Sequence, residues 1–342
     1  MDPAELVARA RVVALPMRER FRGIDVREAL LIAGNDDQWV EWSPFVEYED
    51  AEAATWLRAA LEALGGPCRS LSEGEARDEG PPAMIRVNAT VPAVPPEAVP
   101  GILARFPGCR TAKVKVAERG QSLADDLDRV AAVRDVLGPT GRIRVDANGL
   151  WSLDDAEVAL RALGRYDLEY AEQPVASVED LARLRRRIAP LVPIAADESI
   201  RKASDPHAVL DAEAADVLIL KFQPLGGLGS LTRILDDAIE ADIDCVTSSA
   251  LETSVGLGAA AAFARYVDDR QGREHDHGLG TAALLASDVT RRPLLPIDGA
   301  IEVRAVVPDA DLLDRYAAPP DRAAFWLARL TRCIPLARQR PE

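Results

Sequence analysis

The sequence predicts an α/β fold, a modified (β/α)7β TIM-type barrel that carries a smaller α+β capping domain. Three observations predict it. From residue 80 to 300, short apolar runs alternate with amphipathic helical stretches; the runs recur every ~25–30 residues; and the first 80 residues follow a hairpin-like pattern instead. Strands alternating with helices of that length are βαβ units of a parallel sheet. Seven or eight such units close into a barrel. An open doubly wound sheet is the alternative, but no G-x-G-x-x-G follows a strand to support it.

In order, the candidate strands are AMIRVNATV (83–91), TAKVKV (111–116), RIRVDANG (142–149), LEYAEQP (168–174), VPIAADES (192–199), DVLILKFQ (216–223) and DIDCVTSS (242–249), with HGLGTAAL (277–284) a weaker eighth. Residues 1–80 contain RVVALP, VREALLIAG and QWVEWSP, three strands at hairpin spacing, and then the helix DAEAATWLRAALEAL. Segment 64–83 is polar and rich in glycine and proline, as a connection between domains should be. From about residue 300, IEVRAVVPD and a helix around AAFWLARL are expected to return to the first unit. The expected division is therefore 1–80, joined by the tail at about 300–342, as the capping domain, and 81–299 as the barrel.

The chain has 342 residues and a formal net charge of -15, which argues against nucleic-acid binding. No apolar stretch reaches the ~18 residues of a spanning helix, and the N-terminus lacks an apolar signal core; a cytoplasmic protein is expected. Cys68, Cys109, Cys245 and Cys333 lie far apart, with no C-x-x-C pair, and read as reduced thiols. His275 and His277 read as solvated loop residues rather than ligands.

In a parallel barrel, catalytic groups come from the C-terminal ends of several strands. Here RIRVD ends on Asp146, LEYAE on Glu172, PIAAD on Asp197 and LILK on Lys221, spaced 26, 25 and 24 residues apart. A lone acid ending a strand is commonly a helix cap, and K-V-K alone fits an edge strand. The joint pattern, on consecutive strands and at one end, points to chemistry. Three crowded carboxylates require a cation among them, and Mg2+ suits an all-oxygen donor set. On the preceding strand Lys113 and Lys115 share a face and point inward, while Val114 and Val116 face the helices. Burial is expected to lower the lysine pKa values toward neutrality, where a lysine serves as a base.

K-V-K, R-V-D-A-N-G, A-E-Q-P, A-D-E-S, and Lys221 followed by Gly226-Gly227 resemble the enolase superfamily, muconate-lactonizing subgroup, over nearly the whole chain. Within the subgroup the chain is most similar to the o-succinylbenzoate synthase family of the actinobacterial type. The resemblance implies that Asp146, Glu172 and Asp197 are Mg2+ ligands. It makes Lys115 the base, Lys113 its electrostatic partner, and Lys221 the group that stabilises the anionic intermediate. Asn148 and Glu198 match the motifs as groups behind the ligands. Ser248, Ser249, Glu252, Thr253 and Ser254 fall where the family binds the succinyl end of its substrate. Capping loops at 17–23 and 44–48 add Arg20, Phe21, Arg22, Phe45 and Tyr48 as substrate-contact candidates. The sequence departs from the family at Phe222, where proline commonly follows the lysine.

The implied activity is the Mg2+-dependent syn-dehydration of 2-succinyl-6-hydroxy-2,4-cyclohexadiene-1-carboxylate in menaquinone biosynthesis, a hydro-lyase reaction on a small carboxylate. Rival readings within the subgroup are an N-acylamino-acid racemase, a dipeptide epimerase and muconate cycloisomerase. Epimerases carry an Asp-x-Asp where this chain has Gly278 to Thr281. A Schiff-base lyase using Lys221 leaves the three acids unexplained, and a non-catalytic barrel leaves all the buried charge without a purpose. Oligomeric state is not legible.

Overall fold

A computed structural model describes residues 2–35, 37–65, 82–201 and 205–339. Alternating apolar residues make an antiparallel sheet of β1 (Ala10–Phe21), β2 (Ile24–Ala33) and β3 (Trp39–Trp42), in that order. Phe21 pairs with Ile24 across the two-residue turn Arg22-Gly23. Both turn residues have positive φ, 50° and 78°, the conformation that matches the twist of a tight hairpin. The helix Asp50–Leu64 follows, anchored when the Trp42 indole donates to the Ala53 carbonyl at 2.9 Å.

The tail helix Pro320–Ala337 sets Trp326 edge-on to Trp42, with centroids 5.7 Å apart. Arg322 and Trp326 both donate to Glu28 of β2. Segment 66–81, with Cys68, lies outside the described residues. Cys109, Cys245 and Cys333 are free thiols.

β4 (Met84–Arg86) pairs antiparallel with β12 (Ala300–Glu302). The barrel sheet is parallel and runs β5 (Ala89–Val91), β6 (Thr111–Lys115), β7 (Arg142–Asp146), β8 (Leu168–Glu172), β9 (Ile194–Ala196), β10 (Val217–Lys221) and β11 (Asp244–Ser248), each beside its sequence neighbour. The expected eighth strand shrinks to two bridging residues, His277 beside Val87 and Gly278 beside Ser248, and a 3-10 turn, Gly280–Leu284, follows. These bridges join the first and last strands into a ring. Gly278 packs tightly there: an added Cβ would lie 2.4 Å from the Ser248 hydroxyl and 3.0 Å from its Cβ, so Ser248 would have to move.

The outer helices begin on a recurring signal. Ser122, Ser152 and Ser177 each accept from the backbone N–H three residues on, with Asp at that position. Each helix is thus started directly after its strand, which leaves the strand ends facing one mouth. Among the described residues no helix is long and apolar enough to cross a membrane.

Candidate active site

Strand alternation decides what enters the barrel. Along β7, Ile143 and Val145 are fully buried against the helices, so Arg142, Arg144 and Asp146 point inward. On β6, Val114 packs outward and Thr111, Lys113 and Lys115 point inward. In-register pairing sets Lys115 beside Asp146 and Asp146 beside Glu172. Asp197 follows β9, and Lys221 ends β10.

Each acid is met by a cation. Lys113 Nζ lies 3.0 and 3.1 Å from the two Glu172 oxygens and 3.4 Å from Asp146. Lys115 Nζ donates to Asp146 at 2.5 Å and to Asn148 Oδ1 at 2.6 Å. Lys221 Nζ donates to Asp197. Burial raises the Asp146 carboxyl, but Lys115 and Lys113 outweigh it and hold the group below the usual carboxylate range. Asp197 is likewise held low, because Arg201 and Lys221 overcome its burial. Glu172 is pushed up to about 7 by burial and by the charge of Asp146, which Lys113 only partly offsets.

The lysines divide. Burial pulls Lys113 down, but Glu172 and Asp146 outweigh it and hold the ammonium above its ordinary value. The expectation that burial lowers it is therefore corrected: two carboxylates within reach defeat desolvation. For Lys221 burial wins, and its pKa falls.

Lys113, Lys115, Asp146 and Lys221 line one cavity of about 30 Å3, room for about one water. Phe21 and Arg22 at the tip of the β1–β2 hairpin, and Phe45, close it from the capping side. The Lys115 ammonium lies 5.4 Å from the Phe21 ring centroid. Phe45 sits between Arg22 and Arg27, each guanidinium 4.5 Å from the ring. Ser248 and Ser249 form the wall opposite β6.

Other predicted contacts fall elsewhere. Arg20 is exposed and outside the cavity. Tyr48 is half-buried and accepts from Arg201 at 2.8 Å. Glu252 lies behind the wall, accepting from the Ser249 hydroxyl at 2.6 Å and the Ala250 N–H at 2.7 Å. Thr253 caps the helix Ser254–Gln271, and Ser254 donates to Asp288 at 2.7 Å. These three shape the loop without reaching the cavity. His277, expected in solvent, is fully buried: its Nδ1 accepts the Thr247 N–H at 3.0 Å, and Nε2 is 3.1 Å from Asp268.

Sequence reasoning missed Thr90 and Thr281, which line the cavity, and Arg27. Arg27 is 2% exposed and donates to the carbonyls of Leu251 at 3.0 Å, Ala250 at 3.2 Å and Ser43. It ties β2 to the loop after β11. No local signal marks it, because both faces of β2 are buried from Ala29 to Ile32.

Among the described residues no group of three or more His, Cys, Asp or Glu side chains is gathered for a metal as it stands; the carboxylates turn toward their lysines. The donor chemistry nevertheless fits a hard divalent cation. Three buried carboxylates on neighbouring strands supply only oxygens, and Glu172 at about 7 is a carboxylate short of positive charge.

Two family models match, "Enolase N-terminal domain-like" over residues 12–64 and "Enolase C-terminal domain-like" over 103–310. The o-succinylbenzoate synthase of Mycobacterium marinum is 51% identical over 98% of this chain and 96% of its own. That of Mycolicibacterium smegmatis is 52% identical over 96% of each. The chain belongs to the o-succinylbenzoate synthase family of the enolase superfamily. The fold agrees: the muconate lactonizing enzyme of Pseudomonas fluorescens superposes with a TM-score of 0.75 at 22% identity, covering 90% of this chain and 98% of that one. Enzymes of the superfamily use Mg2+.

Proposed function

We propose that the chain performs the family reaction, syn-dehydration of 2-succinyl-6-hydroxy-2,4-cyclohexadiene-1-carboxylate to o-succinylbenzoate, as a hydro-lyase of menaquinone biosynthesis. One observation carries the residue assignment: Lys115 and Lys221, on strands separated by β7, β8 and β9, line a single small cavity beside Asp146. Residues 1–80 with the tail act as the cap and 81–299 as the catalytic barrel. The setting is the cytoplasm, with a small carboxylate substrate and no nucleic-acid partner.

Asp146, Glu172 and Asp197 would hold Mg2+, which would offset the negative charge growing on the substrate carboxylate as the α-proton leaves. Lys115, as the free amine, takes that proton; Asp146 and Asn148 aim its nitrogen. The C–H electron pair moves onto the carboxylate as an enediolate; it then returns to form the last ring double bond as the neighbouring C–OH bond breaks. Lys115, now an ammonium on the same face, returns the proton, so water departs and the ring becomes aromatic. Lys221, on the opposite side, stabilises the anion. Lys113 remains an ammonium between Glu172 and Asp146 and contributes positive charge beside the reacting carbon. A cavity of about 30 Å3 cannot hold the substrate, so Phe21 and Phe45 must withdraw for entry and then exclude water.

The test is dehydration followed by ultraviolet absorbance, with and without EDTA. Fast turnover that EDTA stops supports the reading; turnover unaffected by EDTA defeats its metal part. The same pair of lysines on opposite faces also suits 1,1-proton transfer. Racemisation of N-succinyl amino acids without dehydration would move the function to an N-acylamino-acid racemase.

A further inference from the structure

Asp197 is approached by two cations from different directions. Lys221 reaches it from inside the barrel, and Arg201 from the turn that follows β9. The Arg201 side chain is 10% exposed. Its Nε lies 3.3 Å from Asp197 Oδ1 and its Nη2 2.8 Å from Oδ2, so the guanidinium covers both oxygens as a fork. Nη2 is also 3.0 Å from Glu198 Oε1, and Nη1 donates to the Tyr48 hydroxyl at 2.8 Å. Tyr48 precedes the helix Asp50–Leu64 and packs beside Phe45 and Trp56. One guanidinium thus joins a carboxylate of the barrel mouth to the cap.

With Lys221, the fork takes three of the roughly four lone-pair sites of the Asp197 carboxylate, so a divalent cation binding there competes with Arg201. Two-point guanidinium–carboxylate pairing is among the stronger polar contacts in proteins, so the competition is substantial. An alternative seat lies next door: Glu198 Oε2 is buried without a hydrogen-bond partner. We propose that Arg201 competes with the divalent cation for Asp197 and thereby sets the metal affinity of the site. Cation binding shifts its guanidinium onto Glu198, which loosens Tyr48 and the capping segment that carries Phe45. Arg201 is on this view a positioning residue whose removal improves a binding step. The inference rests on the reading of Asp197 as a metal ligand.

The experiment is equilibrium binding of Mn2+, read as free ion by electron paramagnetic resonance, for the full chain and four variants. Arg201→Ala should lower the Kd about tenfold, the size of one charge-assisted contact. Arg201→Lys keeps the charge without the fork and should fall between wild type and Arg201→Ala; it carries the test if the alanine variant does not fold. Tyr48→Phe removes only the outer partner and should lower the Kd about twofold. A Kd that is unchanged or higher in Arg201→Ala and Arg201→Lys overturns the proposal. Asp197→Asn separates the two levels. If it binds Mn2+ as wild type does, the metal-site reading fails and this proposal with it. If it loses binding while the Arg201 variants gain none, the competition alone is overturned.

Discussion

The two ends of the barrel interior are both filled with buried charge, and they behave differently. β7 shows the contrast within one strand: Arg142 and Arg144 face the floor, Asp146 the mouth. At the floor, Arg144 is 1% exposed, stacks 4.7 Å from the Tyr170 ring centroid, and donates to Glu169 at 2.6 Å and Asn88 at 3.0 Å. Asp276 collects Arg86 at 2.8 Å, Arg142, and the Thr111 hydroxyl at 2.5 Å. Burial raises Asp276, but these donors prevail and hold it below its ordinary value. At the mouth the cations that the barrel strands send into the cavity are lysines, the acids crowd one another, and Glu172 is left near 7. Arginine in a fixed fork does not release its proton, whereas lysine does so when its surroundings favour the amine. The floor is built to stay charged and the mouth to exchange protons.

The sharpest break of this comparison is Lys115→Ala, which should lower turnover by about a thousandfold or more while leaving Mn2+ binding in place. Near-normal dehydration in that variant would remove the base from the mechanism. At the floor, Arg144→Met should instead cost about 3 kcal/mol of stability by leaving polar partners unpaired. Its folded fraction should keep kcat within a few-fold, as urea unfolding and assay of the same sample would show.

Glu172 gives a pH signature. Its folded pKa of about 7 lies above the ordinary 4.5, so the folded state favours the protonated form. That contribution is complete below 4.5 and is lost as pH rises through about 7. In EDTA, melting temperatures across this window should fall more for wild type than for Glu172→Gln, by the equivalent of about 3 kcal/mol at most. Equal slopes would mean that Glu172 is satisfied without a metal. The smallest effect is expected at the lid: Arg22→Ala removes one guanidinium from Phe45 and should raise KM about fivefold with little change in kcat.

Much of the site was legible from local rules. Strand alternation turns Lys113, Lys115 and Asp146 inward, and one βα unit between successive motifs brings Asp146, Glu172, Asp197 and Lys221 to the same mouth. Less legible was anything that depends on partners distant in sequence. Glu252, Thr253 and Ser254 look like binding groups in a serine- and threonine-rich run, yet Glu41 of β3 and Asp288 claim Thr253 and Ser254 at 2.6 and 2.7 Å. His277 has the look of a loop residue, but closing the ring buries it.

By itself the sequence determined the strand order, the inward phase of each strand and the inventory of charges at each end, because these follow from periodicity and from caps within a few residues. Only the tertiary structure decided which cation meets which carboxylate, that Lys113 is held charged while burial lowers Lys221, and that Arg201 bridges Asp197 to Tyr48. Those outcomes depend on distances across the ring and between cap and barrel, where electrostatic energies change over a few ångströms and no local pattern records the separation.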